Sequence, residues 1–63
     1  MKRAHLMKQL RRHAKALGCE MVLTEGSSHT KVVIGEARTV VPRHREINEL
    51  TATAILRQMG VLK

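Results

Sequence analysis

Apolar residues recur along this chain with two different periods, and each period marks its own kind of element. Between residues 2 and 17, Leu6, Leu10, Ala14 and Leu17 fall on one stripe, widened by Met7, while Lys2, Lys8, Arg11, Arg12 and Lys15 lie off it. That spacing is the repeat of an amphipathic helix with one buried face. Gly18 follows, a residue that tolerates the left-handed backbone of a helix stop, and the cations of the last turns suit the negative end of the helix dipole. The basic face is open to two readings, a solvated surface or a phosphate-contacting one.

The period then shortens. Cys19-Glu20-Met21-Val22-Leu23-Thr24 is brief and rich in residues that fit a pleated, half-buried surface, so it predicts a first strand. Gly26, Ser27 and Ser28 interrupt it with a polar loop of small residues, read as flexible. Strand two is expected from His29 to Ile34 and strand three from Ala37 to Val41. Gly35-Glu36 between them fits a type II′ hairpin, which wants glycine at its first central position. That turn sets the register. Ile34 faces Ala37, Val32 faces Thr39 and Thr30 faces Val41 on one side; Val33 faces Arg38, Lys31 faces Val40 and His29 faces Pro42 on the other. The first is the better core face, which leaves His29, Lys31 and Arg38 together on the second.

Pro42 cannot continue a central ladder and ends the strand. Arg43-His44-Arg45-Glu46 makes a charged connection. Asn48 or Thr51 can cap a second helix that reaches about Met59, with Ala52, Ile55, Leu56 and Met59 as its stripe and Leu50 adding to it. Ile47 is placed to staple onto Ala52, Gly60 supplies the stop, and Val61 and Leu62 either fold back or meet a partner. The order helix, strand, strand, strand, helix predicts a two-layer α+β domain over residues 1–63: a three-stranded antiparallel sheet with both helices on one face. No repeats, linkers or low-complexity segments appear.

Composition sharpens this picture in three ways. The chain has 63 residues and no Phe, Tyr or Trp, so its core must come from Leu, Ile, Val, Ala and four Met. A chain of this size buries only about 60% of its unfolded surface, so dimerisation or a partner protein is expected to help. The formal net charge of +7 asks for an anionic partner, nucleic acid first and acidic protein second. The apolar runs are too short for a membrane segment or a secretory signal. Cys19 stands alone, which precludes an internal disulfide and fits a reducing cytoplasm; it reads as a small buried apolar residue.

Several chemistries are excluded by what is missing. There is no glycine-rich phosphate loop, no Cys-x-x-Cys and no His-x-x-x-His, and the five acids, Glu20, Glu25, Glu36, Glu46 and Glu49, form no close cluster. No metal or other cofactor is therefore expected. Ser27 or Ser28 as a nucleophile would lack an Asp for a triad. The histidines remain. His5 and His13 lie in the basic helix and His44 in the connection after strand three, whereas His29 follows a small-residue loop and opens a strand. Imidazole exchanges protons near neutrality, and RNA cleavage needs a base for the 2′-hydroxyl, a cation for the phosphate and an acid for the leaving oxygen. His29 beside Lys31 and Arg38 offers the first two. On these features alone, an ordinary surface histidine remains the alternative.

The ordered set of motifs changes that balance. Gly26-Ser27-Ser28-His29-Thr30-Lys31-Val32, then Arg38-Thr39-Val40-Val41-Pro42-Arg43-His44, then Ala54-Ile55-Leu56-Arg57-Gln58-Met59-Gly60, resembles the HicA toxins, also called YcfA-like mRNA interferases. The opening Met1-Lys2-Arg3 and the leucines leading to Gly18 resemble that family's first helix, so the likeness covers nearly the whole chain. It implies a fold like the double-stranded-RNA-binding domain, and a stress-response toxin that cleaves mRNA without a metal. The resemblance makes His29 the catalytic residue; the register places Lys31 and Arg38 on its face, and these two with Ser27, Ser28 and Arg43 are the expected contacts to the RNA phosphates. It implies an acidic HicB-like antitoxin as partner, and leaves open whether the assembly is a homo-oligomer or a toxin–antitoxin hetero-oligomer. A basic module that binds RNA without cutting it is the alternative.

Overall fold

The computed structural model describes residues 1–62; Lys63, the last residue of the expected domain, lies outside the described residues. The elements follow the expected order: helix α1 (Arg3–Leu17), strands β1 (Met21–Glu25), β2 (His29–Ile34) and β3 (Ala37–Pro42), and helix α2 (Glu49–Gln58). The strands form one antiparallel sheet with β2 in the middle.

The β2–β3 register is the one that the hairpin turn dictates, from Ile34 opposite Ala37 to His29 opposite Pro42. Gly35 has φ 60° and Glu36 a negative φ, which is the sign pattern of a type II′ turn rather than the doubly positive type I′. Alternation then sorts the side chains. Thr30, Val32, Ile34, Thr39 and Val41 are buried, while His29, Lys31, Arg38 and Val40 are exposed on the opposite face.

Both helices cover the buried face. Leu6, Met7, Leu10 and Ala14 of α1 meet Val32, Ile34 and Val41 of the sheet and Ala52, Ile55, Leu56 and Met59 at α2 in one continuous core that includes Ile47. Burying a side chain of this size stabilises by about 1.5–3 kcal/mol. Each helix ends in a Schellman motif. After α1, the Cys19 N–H reaches the Ala14 carbonyl at 2.9 Å and the Gly18 N–H reaches Lys15 at 3.1 Å. That closure needs the left-handed conformation of Gly18, φ 70°. The same pair of bonds recurs after α2, from Val61 to Leu56 and from Gly60 to Arg57, which folds Val61 back onto the core.

Three expectations are corrected by this geometry. The first strand begins at Met21 rather than Cys19, because Cys19 spends its N–H on closing α1. Leu17 is 57% exposed rather than part of the buried stripe, being the last helical residue before the chain turns at Gly18. Leu50 is 82% exposed: it lies in the first turn of α2, where Asn48 accepts its N–H at 2.8 Å, and at about 100° per residue it falls opposite the buried Ala52, Ile55 and Leu56.

The charged connection after β3 is stitched to the beginning of the chain. Lys2 pairs with Glu46 in an isolated bridge, the Arg3 N–H donates to the Arg45 carbonyl at 2.9 Å, and the Ile47 N–H donates to Met1 at 2.7 Å. Lys2 offers no side-chain cap to α1, so these backbone bonds hold the helix start.

Candidate functional site

His29 is the first residue of β2, and its exposed side chain stands on the sheet face away from the helices. The preceding loop is small and polar, as expected, but it is tied rather than free. Gly26 donates its N–H to the His29 carbonyl at 2.8 Å, so closely that a Cβ on residue 26 would lie 3.0 Å from that oxygen. From the knuckle after β3, the Arg43 N–H donates to the Ser28 carbonyl at 3.2 Å and its guanidinium donates to the Gly26 carbonyl at 2.9 Å. The loop therefore carries Ser27 and Ser28 on a frame anchored at both ends, with both serines exposed.

Behind the loop runs a polar chain. Thr30 is fully buried, and its hydroxyl donates to Glu25 Oε1 at 2.6 Å while accepting from the Arg3 guanidinium at 2.7 Å. Arg3 also donates to the Pro42 carbonyl at 3.1 Å, and Glu25 lies 3.8 Å from Arg43 Nε. A hydroxyl at a core-face position must find such partners, because an unpaired buried one costs about 1–3 kcal/mol. Arg3, Glu25, Thr30 and Arg43 thus fix both strands that flank His29. Sequence reasoning passed over Arg3 and Glu25; the available signal was Thr30, a polar residue at a core position of the predicted register.

The side chains singled out from the sequence do not all gather at one point. His29 and Lys31 line a shallow depression of 290 Å³, together with Thr24, Glu25, Gly26 and Val40. Two residues apart on one strand face, they sit about 7 Å from each other along the strand. Arg38 shares their face but is paired with Val33, about 13 Å along the sheet from His29 by strand rise. It belongs to a separate groove beside α2. Arg43 is half exposed and already engaged with Gly26 and Glu25. The basic residues Lys8, Arg11, Arg12 and Lys15 are exposed along α1.

Among the described residues, no three His, Cys, Asp or Glu side chains come close enough together to hold a metal ion. No described helix is long and apolar enough to cross a membrane. What the depression offers is an exposed imidazole, an ammonium two residues along the strand and an open approach.

The site thus sits in an α-β-β-β-α domain with an exposed histidine opening its central strand, on a chain of net charge +7. The family model for the HicA toxin of bacterial toxin–antitoxin systems matches residues 7–61, and the chain belongs to that family. It is thus a toxin of a toxin–antitoxin system, and toxins of this family pair with HicB antitoxins. Comparison with curated proteins and with solved structures finds no significant match.

Proposed function

We propose that residues 1–63 form one HicA domain that acts in the cytoplasm as a metal-independent endoribonuclease, cleaving mRNA through His29. The observation that carries this reading is the placement of His29: exposed, beside Lys31, in an open depression, on a backbone braced by Arg43 and the Thr30 chain. A rigid frame under an accessible imidazole is what general base catalysis requires. His29 takes the proton of a 2′-hydroxyl, the 2′-oxygen attacks the adjacent phosphorus, and the bond to the 5′-oxygen breaks as that oxygen takes a proton from water, leaving a 2′,3′-cyclic phosphate and a 5′-hydroxyl. The Lys31 ammonium stabilises the charge that builds on the phosphate. Arg38, farther along the face, meets a neighbouring phosphate of the same strand, and Ser27 and Ser28 supply hydroxyls at the loop. The exposed cations of α1 add sequence-independent attraction for RNA.

The test is growth. Induced expression of the wild-type chain stops growth and translation, and co-expression of a HicB-like antitoxin restores them. The His29→Ala chain accumulates, remains folded and leaves growth unaffected. Growth arrest by His29→Ala equal to that of wild type would overturn the assignment.

A further inference from the structure

β3 is an edge strand: it pairs with β2 and, among the described residues, with no strand on its other side. In a two-residue antiparallel hairpin the pair flanking the turn exchanges both backbone bonds, and bonded and non-bonded pairs alternate from there. Ala37, Thr39 and Val41 therefore direct their N–H and C=O groups to β2, while those of Arg38 and Val40 point outward. Pro42 is the next outward-facing residue, and its carbonyl is occupied by Arg3. The edge is closed at that end and open at Arg38 and Val40.

Beside this edge lies a groove of 590 Å³ between β3 and α2. Val33, Val40, Leu50 and Ala54 give it an apolar lining, and Lys31 and Arg38 add its cations. Charges of this kind are a common guard against edge-to-edge aggregation. That role does not account for Leu50, which is 82% exposed, or Val40, 46% exposed, on the same groove. Lys31 and Val40 also line the depression around His29, so the two hollows adjoin each other.

We propose that the free edge of β3 takes up an extended, acidic segment of a protein partner as a fourth strand. The partner's backbone pairs with the N–H and C=O groups of Arg38 and Val40. Its alternate side chains set apolar groups into the groove and carboxylates against Lys31 and Arg38. Charge selects an acidic partner over a second copy of this chain, because pairing two such edges would bring like cations together on a protein of net charge +7. A strand seated there also covers part of the His29 depression and shuts RNA out. That consequence rests on the ribonuclease reading; the strand addition itself does not.

The experiment uses isotope-labelled His29→Ala protein, so that cleavage plays no part in the readout. It is titrated with a short, end-blocked peptide that alternates valine and glutamate. On binding, the Arg38 and Val40 amides gain protection from hydrogen exchange. Val40→Pro removes an outward N–H that β2 does not use and weakens peptide binding about tenfold or more. Reversing both cations, Lys31→Glu with Arg38→Glu, shifts preference to a valine–lysine peptide. Peptide binding that leaves both amides unprotected, or a charge reversal without effect on preference, would overturn the proposal. So would a 2′-O-methyl oligoribonucleotide that perturbs Leu50 and Ala54 when the peptide does not, since the groove would then belong to RNA.

Discussion

The guanidinium of Arg43 donates to the carbonyl of Gly26 at 2.9 Å, joining the knuckle after β3 to the loop before β2. These residues are 17 apart in the chain, yet together they fix the direction in which β2 begins. The orientation of His29 thus depends on a residue that composition alone would assign to solvent or to RNA.

Arg43→Ala is expected to loosen the loop more than it destabilises the fold. A half-exposed charged hydrogen bond of this kind contributes about 0.5–1 kcal/mol. Amide exchange at residues 26–29 should accelerate, and RNA cleavage should fall between about tenfold and a hundredfold as His29 loses its fixed geometry. Weaker RNA binding with unchanged exchange would mean that the guanidinium serves the phosphate alone.

Thr30→Val keeps the shape of the side chain and removes its hydroxyl, leaving Arg3 and Glu25 without their shared partner. Denaturant unfolding should show a loss of about 1–3 kcal/mol, with Thr30→Ser much closer to wild type. Equal stability of Thr30→Val and wild type would show that the hydroxyl does not hold this network together.

Leu10 is fully buried at the junction of helix and sheet. Leu10→Ala should cost about 2–5 kcal/mol, comparable to the total stability of about 3–5 kcal/mol available to a domain of this size. Circular dichroism of the isolated variant should therefore report a largely unfolded chain, and binding of a partner to the native state should restore part of the helix signal.

The Met1 amino group donates to Glu49 at 2.8 Å and to the Ile47 carbonyl at 2.9 Å. The hydrogen bond to Glu49 raises its pKa above the ordinary value of 8.0. A raised folded pKa gives stability that is fully present below pH 8.0 and is lost as pH climbs through the folded value. Thermal unfolding of this chain should weaken over that alkaline window, and acetylating the amino group should remove the dependence.

Much of this fold was legible in the sequence because a few residues leave little choice. Gly35 selects the hairpin turn, the turn sets the pairing of Val32 with Thr39, and alternation then places His29 and Lys31 outside the core. Gly18 and Gly60 mark the ends of both helices for an equally local reason. The support of the site was less legible, since Arg3 and Arg43 look like any cations of a basic chain until tertiary contacts bring them to Thr30 and Gly26. Leu50 was read onto the stripe of α2 although, at about 100° per residue, it lies nearly opposite Ala52 and Met59, so its exposure was already legible in the spacing.

Labelled RNA incubated with purified protein in EDTA, wild type against His29→Ala, tests the central claim most directly. Wild type should cut the RNA without added metal, while His29→Ala should bind it with similar salt dependence and return it whole. Cleavage by His29→Ala at the wild-type rate, or RNA bound and recovered uncut by both proteins, would contradict the assignment of His29 as the catalytic residue.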